Sequence, residues 1–250
     1  MNTVDSMSYG TFEYQYEKGK TFTLPYRTYL PTGYDESKKS AYPILLFMHG
    51  HGEVGTENEK QIRVLQKENK LLDDLVANDT CIIVAPQCPC NPNQDFEWVN
   101  VNHVWSTGSR EKLTEKPTIA TQAALKLFFD EFLTKESVDL KRVYTAGISM
   151  GGYATWEIIT RYPDVLAAAV PVCGSGFPSY AESIKNIAIW AFHGLSDGTV
   201  PPKGTKDMEA ALKAVGGNIR ANYYEGVGHN SWPNAYAEPE LIGWLLSQHK

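Results

Sequence analysis

Three side chains stand where their types and surroundings could do chemistry together. Ser149 lies between Gly147 and Gly151 in VYTAGISMGGYATW (residues 143 to 156), Asp197 lies in HGLSDGTVPP, and His229 lies in GVGHNSW. A serine hydroxyl is a weak nucleophile at neutral pH. An imidazole that takes its proton activates it, and a carboxylate that holds the imidazole's tautomer stabilises the imidazolium that forms. In that division of labour Ser149 attacks a carbonyl, His229 moves the proton and Asp197 holds His229. The amide of Met150, at the start of the helix-like run after the serine, is placed to stabilise a developing oxyanion.

Each residue also has a plainer reading. Glycine-serine turns join many strands to helices, an aspartate beside Gly198 can cap a loop, and a loop histidine can be structural. Asp207, nearer a helix start, suits a capping role better than Asp197 does. Position along the chain separates these readings, and that requires the elements around the three residues.

The segment TFEYQYEKGKTFTLPYRTYLP alternates aromatic and polar residues around Gly19, which predicts an antiparallel hairpin at a sheet edge. After it come YPILLFMHG, CIIVAPQ, RVYTAGIS, LAAAVPVCG, IAIWAFHG and IRANYYEG, short and almost continuously apolar. Such runs suit parallel strands buried on both faces. Helical spacing fills the intervals at residues 61 to 76, 118 to 133, 150 to 162, 205 to 215 and 236 to 248. The alternation predicts an α/β fold with a mostly parallel sheet, helices on both faces and a ligand site off the strands' carboxyl ends. Ser149, Asp197 and His229 each follow such an end. No repeat or linker-like composition shift interrupts the 250 residues, so one domain over 1 to 250 is expected.

Composition narrows the partners. The net charge of −6 gives no electrostatic footprint for nucleic acid or an anionic membrane, and a neutral or weakly charged small substrate suits it better. No run of about 18 apolar residues is present to span a bilayer. The opening MNTVDSMSYG lacks a signal-peptide pattern, which leaves the cellular compartment open, as the oligomeric state is open too. Cys81 and Cys173 end or open apolar runs and read as buried packing residues. Cys88 and Cys90, one residue apart, do not have zinc-ligand spacing, although either could join a disulfide. A metal reading of His49, His51 and Glu53 lacks a distinct further ligand. His49 and His193 read as buried residues that hydrogen-bond backbone near the site.

The chain order Ser, Asp, His and the G-x-S-x-G pattern of GISMG resemble the α/β-hydrolase superfamily, over nearly the whole chain. The resemblance implies a tight turn in which Gly147, Gly151 and Gly152 relieve crowding. It also implies a second oxyanion amide from the loop after the third strand, here FMHGHGEVGTEN, carried to the backbone of His51 with Gly52 beside it. LPYRTYLPTGYD, PILLFMHGHGEVGTEN, AGISMGGYATW, FHGLSDGTVP and GVGHNSW together resemble the esterase group of polyhydroxybutyrate-depolymerase-like, feruloyl and acetyl-xylan esterases. That group implies a serine carboxylesterase without metal or organic cofactor, acting on feruloyl or acetyl esters attached to plant cell-wall carbohydrate. Alternatives with the same residues are a peptidase, an acyl-thioesterase, or a hydrolase-fold binding protein without turnover. No lipase-like lid insertion is visible, and the aromatics Phe96, Trp98, Trp105 and Trp232 are candidates to stack on a phenolic acyl group or a sugar, with ordinary loop packing as the plainer reading of each.

Overall fold

The structure is a computed structural model describing residues 3–16, 19–64, 69–89, 98–99, 113 and 120–250. Eight strands form one sheet in the order β1-β2-β4-β3-β5-β6-β7-β8. They are β1 (Ser8–Tyr16), β2 (Lys20–Tyr29), β3 (Tyr42–Met48), β4 (Ile82–Pro86), β5 (Val138–Ile148), β6 (Ala168–Val172), β7 (Ala188–Gly194) and β8 (Ile219–Tyr224). The first two pair antiparallel from Ser8↔Thr28 to Tyr16↔Lys20, with Gly19 in the connection at φ 86, a conformation costly for any residue with a Cβ. β2 joins β4 antiparallel, and β4, β3, β5, β6, β7 and β8 run parallel. The expected α/β class and edge hairpin are both present.

Helices α1 (Thr3–Ser6), α2 (Lys60–Arg63), α3 (Lys70–Asn78), α4 (Ala120–Leu133), α5 (Met150–Arg161), α6 (Ala181–Ile184), α7 (Lys203–Ala214), α8 (Trp232–Tyr236) and α9 (Leu241–Ser247) accompany the sheet. Alternate strand residues feed two cores. Ile44, Leu46 and Met48 of β3 pack with Phe128 of α4, Trp156 of α5 and Met208 of α7. Leu45 and Phe47 pack on the other side with Leu72 of α3, Ala235 of α8 and Leu245 of α9. Both faces of each central strand are therefore dry, which is why the runs are apolar without alternation. Burying one such side chain contributes about 1.5–3 kcal/mol. The central strands are thus held firmly, and what their carboxyl ends carry is held with them.

Two helix expectations need correction. The single helix predicted over 61 to 76 is not continuous: α2 ends at Val64, whose φ of 45 leaves the helical region, and α3 begins after Asn69, whose side chain caps it through the Leu72 amide. The helix predicted over 236 to 248 starts only at Leu241. Tyr236 instead closes the short α8, and Pro239 between them carries no amide proton to continue a helical ladder. Among the described residues no helix is long and apolar enough to cross a membrane.

Candidate active site

Ser149 occupies the joint between β5 and α5 with φ 52 and ψ −116. A non-glycine residue there is strained by about 1–3 kcal/mol, and such strain persists only where the surroundings over-determine it. The Ser149 amide donates to the Val172 carbonyl of the neighbouring strand at 2.9 Å, and its carbonyl accepts from Tyr153 at 3.0 Å. The glycines explain how the turn closes so sharply. A Cβ on Gly147 would lie 2.3 Å from the Gly151 carbonyl oxygen, and one on Gly151 would lie 2.0 Å from that of Met48. A Cβ on Gly152 would lie 2.3 Å from the Val172 carbonyl oxygen. Helix α5 therefore starts in backbone contact with the ends of β3 and β6.

The loops after β7 and β8 bring the other two residues to this turn. His229 Nε2 lies 2.9 Å from Ser149 Oγ, and Nδ1 lies 2.8 Å from Asp197 Oδ2. Asp197 also serves its own loop. Its Oδ1 accepts from the amides of Thr199 at 2.9 Å and Val200 at 2.8 Å, so the loop-capping reading and the partnership with His229 are both realised. Asp207, expected as a cap, instead lies inside α7 and pairs with Lys203 one turn earlier.

Burial pushes the Asp197 carboxyl up. Hydrogen bonds from His193, His229 and the Val200 amide outweigh that cost and hold it well below the usual carboxylate range. An ionised carboxylate accepts only, so Nδ1 of His229 carries the imidazole proton and Nε2 presents a lone pair to the Ser149 hydroxyl. The His229 side chain is 23% exposed while that of Asp197 is sealed. The imidazole is thus partly open to solvent, and the charge that orients it is not.

The loop after β3 is held by His49. Its Nε2 accepts from the Cys88 amide at 2.8 Å, and its Nδ1 lies 2.6 Å from the Gly50 carbonyl oxygen, to which it donates. Both ring nitrogens are thereby occupied within the protein. The next residues, His51–Glu53, form a single 3₁₀ turn, with the His51 side chain exposed. Met150 and His51 each open a helical turn, where backbone amides have no intrahelical acceptor.

Complete burial pushes the His49 imidazole down to about 4, against a weaker upward pull from the Gly50 carbonyl. The unfolded chain, with an ordinary histidine near 6.5, therefore binds more protons than the native protein between the two values. Stability from this residue is complete above about pH 6.5 and lost as pH falls toward 4, amounting to up to about 3 kcal/mol. Urea unfolding from pH 7.5 to 4.5 should show this loss, and His49→Gln should flatten the slope by about one proton. An unchanged slope in the variant would assign the acid sensitivity elsewhere.

The aromatic expectations divide. Trp98 is fully buried: its indole N–H donates to the His49 carbonyl at 3.1 Å and its ring meets the His49 ring edge-on. It braces the loop after β3, which corrects its assignment as a stacking surface. Trp232 is 8% exposed, belongs to the core on one face of the sheet and sets its ring edge-on to His229 at 5.9 Å between centroids. Trp105 and Phe96 lie outside the described residues, as does Cys90. Cys81, Cys88 and Cys173 are buried free thiols, and burial pushes Cys81 up to about 12. Cys173, at φ 41 on the end of β6, places its sulfur within 4.8 Å of ligand atoms of Asp197 and His229. The contact of His193 with Asp197 was missed from sequence, although the four-residue spacing after a strand was there to be read.

An eight-stranded, mostly parallel sheet carrying a serine on a strained strand-to-helix turn is the fold of the α/β-hydrolase esterases. The chain belongs to the phospholipase/carboxylesterase family, whose profile matches residues 35–238. A crystal structure of a thermostable esterase superposes with a TM-score of 0.81 at 31% identity, covering 99% of this chain and 64% of that one. A probable carboxylesterase of Oryza sativa subsp. japonica is 24% identical over 197 residues, 75% of this chain and 81% of its own. Poly(3-hydroxyalkanoate) depolymerase C of Paucimonas lemoignei is 26% identical over 144 residues, 45% of this chain and 32% of its own. The chain thus spans about a third of that depolymerase and under two thirds of the thermostable esterase.

Proposed function

We propose that this chain is a serine carboxylesterase that works through an acyl-enzyme on feruloyl or acetyl esters of plant cell-wall carbohydrate. The observation that carries the mechanism is the continuous hydrogen-bonded path from Ser149 Oγ through His229 to Asp197, with the serine held in a strained turn. Ser149 attacks the ester carbonyl as Nε2 of His229 takes its proton. Asp197 stabilises the imidazolium, and the amides of Met150 and His51 receive the negative charge on the carbonyl oxygen. His229 then protonates the departing alcohol. Water repeats the sequence on the acyl-enzyme and frees Ser149. These steps use no metal or organic cofactor.

Membership in a carboxylesterase family supports the bond type, and the resemblance of the five segments to feruloyl and acetyl-xylan esterases supports the substrate class. The test is a panel of methyl ferulate, acetylated xylan, an acyl thioester and a small peptide amide at equal concentration. Turnover of the first two at rates well above the others is expected. Labelling of Ser149 by a fluorophosphonate with preferential thioester or amide cleavage would overturn the substrate and keep the mechanism. No labelling and no turnover would overturn both.

A further inference from the structure

We propose that His193 is a positioning residue for this reaction, its ring nitrogen Nε2 donating to the same Asp197 oxygen that receives His229. The proposal rests on the acyl-transfer reading above and adds a member to the group that controls His229. His193 is the penultimate residue of β7 and is fully buried. Its Nε2 lies 2.9 Å from the Val200 carbonyl oxygen and 3.2 Å from Asp197 Oδ2. Neither partner can donate, so Nε2 carries a proton. Nδ1 lies 2.7 Å from the Thr205 hydroxyl oxygen, which in turn lies 2.9 Å from the Gly174 carbonyl oxygen.

The single hydroxyl proton of Thr205 decides the charge of this ring. Directed at Nδ1, it leaves His193 neutral with its proton on Nε2. Directed at the Gly174 carbonyl, it turns an oxygen lone pair toward Nδ1, which then requires a proton of its own. In either arrangement the Nε2–H is retained, lying between the Val200 carbonyl oxygen at 2.9 Å and Asp197 Oδ2 at 3.2 Å, so that Oδ1 accepts from two amides while Oδ2 faces two imidazoles. His193 thereby limits rotation of the carboxylate and draws charge from the oxygen that His229 uses.

That has a signed consequence. Removing the His193 donor would leave more charge on the oxygen that His229 uses, so the imidazolium formed during the reaction would be held more strongly in His193→Leu than in the unaltered protein. The ionisable groups on the elements around His193 are Asp197 in its own loop and His229 after β8. Cys173 follows β6, Tyr223 on β8 is its register partner, and Lys206, Asp207 and Glu209 lie on α7. Tyr223 donates to Glu209. Asp207 pairs with Lys203, and Lys206 is exposed, over the Tyr223 ring.

The experiment compares the full chain with His193→Leu and His193→Gln in p-nitrophenyl acetate hydrolysis from pH 5 to 9. The Gln side chain can return an N–H to the position of Nε2. His193→Leu is expected to move the acid limb of kcat/KM upward by about one pH unit and to lower kcat roughly ten-fold with little change in KM. His193→Gln should restore most of both. A folded His193→Leu protein with an unmoved acid limb, or Gln failing to restore it, overturns the proposal. If His193→Leu does not fold, nitrogen NMR of histidine-labelled wild-type protein decides. A protonated Nε2 on His193 whose resonance moves in Asp197→Asn upholds the assignment, and an unprotonated Nε2, or one indifferent to Asp197→Asn, overturns it. Wild-type protein that neither turns over esters nor reacts with a fluorophosphonate would remove the proposed function instead, while the NMR result would still report on His193.

Discussion

Ser149→Ala is expected to lose ester hydrolysis by at least about 10⁴-fold in kcat while remaining folded. The hydroxyl is the group on Ser149 that His229 Nε2 reaches, so its removal leaves the imidazole, the carboxylate and the amides proposed to hold the oxyanion without an attacking atom. What rate remains comes from the amides acting on an enzyme-bound water. The backbone keeps its contacts to Val172 and Tyr153, so the melting temperature should stay within about 2 °C. Ser149→Gly sharpens the test. At φ 52 the Cβ of either serine or alanine is strained, and its loss should make the glycine variant melt higher than the alanine variant, although neither turns over substrate. Initial rates on p-nitrophenyl acetate, fluorophosphonate labelling read by intact mass, and thermal melts provide the three measurements. Near-normal turnover by the alanine variant would end the mechanism.

Gly151→Ala should do damage of a different kind. The added Cβ falls 2.0 Å from the Met48 carbonyl oxygen and 2.7 Å from that of His49, both backbone atoms at the end of β3. No side chain can rotate away, so α5 and β3 must separate. The cost is expected to be about 3 kcal/mol, the upper range for overpacking. Separation moves Ser149, at the head of α5, relative to the His51 amide on the loop after β3, and a displacement of about 1 Å costs on the order of 10²-fold in rate. Gly198→Ala is the control: a Cβ there meets nothing within 4 Å, although the residue adjoins Asp197. It should stay within about 0.5 kcal/mol of wild type. If Gly151→Ala melts and turns over like Gly198→Ala, close backbone approach is not what the glycine provides.

The strand content was legible because strands buried on both faces must be apolar throughout. Ile44, Leu45, Leu46 and Phe47 feed two cores in turn, and no alternation hides them. Helix ends were less legible. Val64 looks like an ordinary apolar helix residue, and neither its φ of 45 nor its place in the core is a property of its residue type. Pro239 was a readable signal that the 236 to 248 expectation passed over. Trp98 illustrates the largest gap at the site. An aromatic in a polar loop can face a ligand or the interior, and the choice depends on the His49 carbonyl, 49 residues away, having room for an indole N–H.

By itself the sequence determined the types and order of the reactive groups: a serine among glycines, then an aspartate, then a histidine, each after an apolar run. Local chemistry is enough for that, since strand burial, turn glycines and side-chain type are properties of short segments. The tertiary structure alone decided which groups touch. His229 is 80 residues from Ser149 and 32 from Asp197, yet distances of 2.9 and 2.8 Å join them because parallel strands deliver their carboxyl ends to one edge of the sheet. The same convergence set His193 on Asp197 and turned Trp98 inward. These contacts follow from the register of whole strands, a property no single segment carries.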